Sequence, residues 1–149
     1  MANVVPYSFA QELLNGSHDF INDTIKIALY EAGSGSPYAV SDTVYSSGVA
    51  NQVSGTVYTT NGKVLQNAVV ANQTNVATLT FDAISWTSAT FGAAYGVIYN
   101  DTDGDKLVVV LDFGGTKSCS NGTFTITFPS TSSSGPGAAG TNSLISISS

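Results

Sequence analysis

The chain has 149 residues, 42% of them hydrophobic and only 9% charged, and its ten carboxylates against four lysines and no arginine give a formal charge of -6. This length suffices for one domain with its own core, and the scarcity of charge leaves a surface of Ser, Thr, Asn, Gln and Gly that suits strands better than helices. A net negative chain without the arginine fork gains nothing from counterion release on a phosphate backbone, and no apolar run approaches the roughly 18 residues of a membrane span, so neither nucleic acid nor membrane is expected as a partner.

The first residues, Met-Ala-Asn-Val-Val-Pro-Tyr-Ser, show no basic region followed by a long apolar run, so no export signal is read. The single Cys119 cannot form an internal disulfide, which fits synthesis in a reducing cytoplasm. Residues 8–15 predict one short helix: Ser8 and Gln11 are spaced as a capping box, Phe9, Leu13 and Leu14 share a face, and Asn15-Gly16 supplies the stop.

Over 24–30, Ile25, Ile27 and Leu29 alternate with Thr24, Lys26 and Ala28, the pattern of a strand with one buried face. Residues 33–37 break it. The mixed, polar segment 38–56 reads as a long ordered loop outside the core. Segments 56–60 and 63–65 flank Asn61-Gly62, a dipeptide that tolerates the positive φ of tight turns, and predict a hairpin. Residues 76–81 alternate again, and Trp86 is the large anchor expected in the core.

Residues 95–113 hold the clearest strand pair, two runs rich in Val, Ile and Tyr around an Asn-Asp-Gly cluster. The second run is apolar at five successive positions, 107–111, so both faces should be covered, by an opposite sheet and by a neighbouring subunit. Thr123, Thr125 and Thr127 alternate with Phe124, Ile126 and Phe128, which turns Phe128 inward. Residues 129–141, rich in Ser, Gly and Pro, read as a tether. Leu144, Ile145 and Ile147 then predict a last strand over 142–149, able to close its own sheet or to add to a neighbour's edge. The expected organisation is a single β-rich domain over 1–128, the tether, and the C-terminal strand. The fold class is all-β: a β-sandwich-like antiparallel domain with one short N-terminal helix.

Chemistry is thinly represented. Asp101, Asp103 and Asp105 stand at positions 1, 3 and 5 of a calcium loop, with Asp112 at position 12. The match breaks at position 6, where Lys106 replaces the sharp-turn glycine; a solvated hairpin turn accounts for the same residues, and no cofactor or metal is expected. His18 is the only histidine and reads as a surface or capping residue, without a strained nucleophile elbow elsewhere. Glu12 and Glu31 are not brought together by anything in the sequence, and no catalytic residue is assigned. Tyr38, Tyr45 and Tyr58, in the polar middle of the chain, are candidates for a contact surface because interface centres favour tyrosine over charge; Leu144, Ile145 and Ile147 are candidates for contacts between subunits.

Six blocks carry a resemblance to a known family: Asp23-Thr-Ile-Lys-Ile-Ala-Leu, Asn51-Gln-Val-Ser-Gly-Thr-Val-Tyr-Thr-Thr-Asn-Gly, Ser85-Trp-Thr-Ser-Ala-Thr, Tyr95-Gly-Val-Ile-Tyr-Asn-Asp-Thr, Leu111-Asp-Phe-Gly and Asn121-Gly-Thr-Phe-Thr-Ile-Thr-Phe. Their order over most of the chain resembles small virion structural proteins of tailed bacteriophages, the head decoration or cement proteins. The resemblance implies a β-rich, non-enzymatic protein on the outer capsid surface of the virion, bound to the major capsid protein, a homo-oligomer with a trimer favoured, and made in the cytoplasm of the host bacterium. A tail, baseplate or fibre protein and a carbohydrate-binding β-sandwich are the other readings. The chain departs from the family pattern at 129–141, which stands where similar proteins have a short turn into the last strand.

Overall fold

A computed structural model of the chain describes residues 3–33, 35–73, 76–129 and 144–148. They form one helix, α1 (Tyr7–Leu14), and strands β1 (Ile25–Tyr30), β2 (Lys63–Val64), β3 (Val69–Gln73), β4 (Val76–Thr80), β5 (Ile84–Asn100), β6 (Lys106–Ile126) and β7 (Ile145–Ser148). The chain is all-β with antiparallel sheets and one short N-terminal helix, consistent with the sandwich-like class expected from the sequence. It divides into two compact units, Met1–Val64 with Trp86–Phe124, and Leu65–Ser85 with Thr125–Ser149.

The first unit is built on a sheet ordered β2-β1-β5-β6. Strand β1 lies inside it, pairing antiparallel with β5 from Ile25 opposite Asn100 to Tyr30 opposite Tyr95, and with β2 through Lys26 opposite Val64. Every residue of β1 except Lys26 is buried. The sequence predicts one buried face; the second is covered as well, because Ala28 and Tyr30 join Tyr38, Tyr45, Val97, Tyr99, Leu107 and Val110 in one cluster. Removing such side chains from water contributes about 1.5–3 kcal/mol each.

Residues 107–110 are fully buried by the chain itself, so no neighbouring subunit is needed to cover them. The cover comes from two segments that also close the sheet's outer edge. Val4 exchanges backbone hydrogen bonds with Val110 at 2.8 Å in both directions, and Val44 bridges to Lys106. At the opposite edge, β2 is only two residues long and carries Lys63, a combination that discourages further pairing. Left-handed residues interrupt both long strands, Ser88 in β5 and Gly114, Gly115 and Asn121 in β6. Such residues mark bulges, which let strands this long bend.

Several sequence expectations change. Segment 38–56 is irregular, as read, but it is not outside the core, since Tyr38, Tyr45 and Val53 are buried. The hairpin around Asn61-Gly62 does not form: the turn is present, yet Lys63 and Val64 pair with β1, while Thr56 bridges to Thr90 of β5. The turn itself is pressed onto β1, where a Cβ on Gly62 would overlap the Ile27 carbonyl. Ser8 caps nothing; Pro6 is the N-cap of α1, and the buried Ser8 hydroxyl has no hydrogen-bond partner. Phe9 is buried, whereas Leu14 on the same helix is 90% exposed. Trp86 is the anchor expected, packed edge-on to Phe91 and Phe124 at 6.1 Å with Lys63 Nζ 5.6 Å above its ring.

The second unit holds a sheet ordered β3-β4-β7. Strand β4 pairs antiparallel with β3, Val70 opposite Leu79, and with β7, Leu79 opposite Ile145. Its buried apolar residues are Leu65, Leu79, Phe81, Ile84 and Phe128. Phe128 faces inward as expected, edge-on to Phe81 at 5.9 Å. Strand β3 was not foreseen. The expected C-terminal strand is present as β7; apart from Pro129, the proposed tether lies outside the described residues.

Candidate interaction surface

The side chains weighed for catalysis or metal binding are tied into the scaffold. The His18 side chain is fully buried, not on the surface. Its Nδ1 lies 3.2 Å from Asn100 Nδ2 and its Nε2 3.0 Å from Glu12 Oε2. Asn100 Oδ1 accepts hydrogen bonds from the Thr102 and Asp103 amides, which fixes the amide so that its nitrogen donates to His18 and, at 2.6 Å, to Asp23 Oδ2. An amide nitrogen can only donate, so Nδ1 accepts and Nε2 carries the proton given to Glu12. Phe9 and Phe20 flank the imidazole at 5.2 and 5.5 Å. Sequence reasoning missed this site because Asn100, which joins His18 to Asp23, is 82 residues from the histidine in the chain.

Asp101 and Asp103 each face a lysine: Lys26 Nζ donates to Asp101 at 2.8 Å and Lys106 Nζ to Asp103 at 2.6 Å. The Asp103 carboxylate raises the pKa of Lys106 above its ordinary value. Asp105 supplies its backbone carbonyl to the Tyr45 amide. Among the described residues, no group of three or more His, Cys, Asp or Glu is arranged to hold a metal ion. Cys119 is half-buried, its Sγ 3.8 Å from the Phe91 carbonyl oxygen.

The tyrosine candidates are placed differently from the expectation. Tyr38 and Tyr45 are 4% and 6% exposed. Their hydroxyls stitch the irregular segment to itself and to the Asn61 turn: Tyr38 donates to the Ser46 carbonyl and Tyr45 to Asn61 Oδ1. Tyr58 is half-buried, its hydroxyl accepting from the Leu29 amide at 2.8 Å. Burial pushes the Tyr45 phenol up to about 12 and raises those of Tyr30, Tyr38, Tyr58 and Tyr99. Rings held this way are packing elements, and they leave little of a tyrosine platform for stacking a sugar.

Several apolar side chains also face outward. On α1, Tyr7 and Leu14 are seven residues apart and so share a face, and they are 75% and 90% exposed. In the second unit, cross-strand pairing places Val70, Leu79 and Ile145 in one row and Asn72, Ala77 and Ile147 in the next, on one face of the sheet. Leu79 is buried, but Val70 and Ile147 are 56% and 55% exposed and Ala77 is exposed beside them. Of the three C-terminal candidates, Leu144 donates its amide to the Leu79 carbonyl, Ile145 is half-buried, and Ile147 presents its side chain to solvent.

Charge is distributed unevenly between the units. Of all the Asp, Glu and Lys side chains, only Asp82 falls in Leu65–Ser85 and Thr125–Ser149. Even Asp82 is engaged, accepting from Asn67 Nδ2 at 2.6 Å. Comparison with protein-family models, curated proteins and solved structures finds no match for this chain.

Proposed function

We propose that this chain is a non-enzymatic bacteriophage capsid decoration protein, which binds the major capsid protein on the outside of the head as a homo-oligomer, a trimer in the favoured form. The observation that carries the reading is that the one histidine is taken up inside the fold with Glu12 and Asn100, while apolar side chains, Tyr7 and Leu14 on α1 and Val70 and Ile147 on the second sheet, are among those left outward. Exposed apolar side chains are what a protein that binds another surface presents. A cleft lined by Tyr30, Glu31, Pro37 and Asn51 has a volume of 140 Å³, small beside the roughly 300–1,000 Å³ of ordinary ligand pockets. The resemblance of the order of sequence blocks to head decoration proteins supports the same reading.

The physical logic is linkage. A protein that binds the expanded lattice and not its dissociated subunits adds its binding free energy to the stability of the shell, site by site. The test is to incubate the purified chain with expanded and with unexpanded heads of its phage, sediment the particles, and image them by electron cryomicroscopy. Binding to expanded heads, with density on their outer surface, is expected. Density on the tail, or no co-sedimentation with heads, overturns the proposal.

A further inference from the structure

We infer that the uncharged β3-β4-β7 sheet is where a second copy of this chain binds, through the face bearing Val70, Ala77 and Ile147 and the outer edges of β3 and β7. Among the described residues, neither outer edge has a strand partner. Exposed edges invite pairing, and folds protect them with charge, proline, brevity or cover. The first unit uses such devices, a two-residue β2 with its lysine and the Val4 and Val44 bridges over β6. The second unit uses none of the charge: Val69–Gln73 and Ile145–Ser148 contain no charged residue, and both end strands expose valine or isoleucine, Val69 at 45%.

The choice of occupant follows from electrostatics. Each copy carries a formal charge of -6, so two copies repel wherever their charged surfaces meet. The second unit, with Asp82 as its single charged side chain, is where two copies can approach at the least cost, and β-strand addition supplies backbone hydrogen bonds without requiring opposite charge. A basic partner would be drawn instead to the acidic first unit. This inference rests on the homo-oligomer of that proposal and not on its capsid contact: a chain that oligomerises without binding heads fails only the capsid reading, and a monomer that still coats heads fails this inference and the oligomer while the capsid reading stands.

The experiment is multi-angle light scattering with size-exclusion chromatography on the full chain, on V70E/I147E, and on S120E, which adds charge at an exposed position of the first unit. The wild type and S120E should elute at a common multiple of the 15.3 kDa chain mass, and V70E/I147E at 15.3 kDa itself. Circular dichroism checks that the variant remains folded. Hydrogen exchange on the wild type provides the reading that needs no variant: amides of 69–73 and 145–148 should gain protection as protein concentration rises. A monomeric wild type, an oligomer unaffected by V70E/I147E, or exchange at those amides independent of concentration overturns the inference.

Discussion

Tyr45 and Tyr99 stack face to face, ring centroids 4.0 Å apart and planes within 4° of parallel. The pair fastens an irregular segment to the central strand β5, and both residues also hold Asn61, Tyr45 through the side chain and Tyr99 through the backbone carbonyl at 2.6 Å. Replacing Tyr45 by Phe keeps the ring and removes the hydroxyl, and should cost about 1–3 kcal/mol. Replacing it by Ala removes both, and should cost about 3–5 kcal/mol. Urea titrations of the two variants measure the difference; equal losses would show that the stack contributes nothing beyond the hydroxyl.

The buried phenols also set a limit at alkaline pH. Tyr30, Tyr38, Tyr45, Tyr58 and Tyr99 are raised in the fold above the ordinary 10.0, chiefly by burial. Below that value neither the folded nor the unfolded chain ionises them, and their contribution to stability is complete. Above it the unfolded chain releases protons that the fold retains, so stability falls as pH rises, through about 12 for Tyr45. Melting temperature should be flat up to about pH 10 and decline beyond it. A flat profile throughout would contradict the burial of these hydroxyls.

Two glycines with similar backbone angles should respond differently to a methyl group. Gly62 has φ +78 and no room for a Cβ, while Gly104 has φ +67 with open space around it. Gly104→Ala incurs backbone strain alone, about 1 kcal/mol. Gly62→Ala must in addition shift the turn off β1, and its midpoint in urea should fall well below that of Gly104→Ala. Matching midpoints would mean that the turn is not held against the sheet.

Asn100 is fully buried and makes four hydrogen bonds. Asn100→Leu takes the Asn100 partner from His18 Nδ1 and from the Thr102 and Asp103 amides, and one of two donors from Asp23 Oδ2, which keeps the Asp19 amide; at roughly 1–3 kcal/mol for each group left unsatisfied it should be among the most damaging single changes. Asn100→Asp places a carboxylate against Asp23, and its loss of stability should shrink as the solution is acidified and one of the pair takes up a proton. Thermal melts of N100D across the acid range check this; a penalty that does not change with pH would count against the Asp23 contact.

With Asp101 and Asp103 satisfied by Lys26 and Lys106, calcium should leave the melting temperature unchanged, as should a chelator. A rise of several degrees with millimolar calcium would show that the lysines give way to the ion.

The parts legible in the sequence were those with local causes. The strand at 24–30, the apolar run at 107–111, the inward Phe128 and the anchor Trp86 all follow from side-chain periodicity and size, which need no knowledge of distant residues; the second buried face of β1 does not. Strand β3 was not legible, because Val69-Val-Ala-Asn-Gln has neither alternation nor bulk and becomes a strand by pairing with β4. Tyr38 and Tyr45 were misplaced for a similar reason: their neighbours are polar, and only the tertiary cluster with Tyr30 and Tyr99 explains their burial. His18 stood next to Asp19 in the sequence, yet its partners are Glu12 and Asn100. The apolar tail after a polar stretch offers Leu144, Ile145 and Ile147 as contact candidates, and of the three Ile147 is exposed while the other two are half-buried; the unequal division of charge becomes visible only once the two units are defined.

The pairing of β1 with β5, and of Val4 with Val110, also governs when this chain can fold as it is made. A ribosome delivers β1 early, but the strand that covers its inner side is not available until Asn100 has emerged, and the edge closed by Val4 must wait for Val110. Until then β1 has beside it only the short β2 and the segment around Gln52, Val53 and Tyr58. The first unit therefore closes only after most of its length has been synthesised, and each of these long closures carries an entropic cost that the contacts it makes must offset.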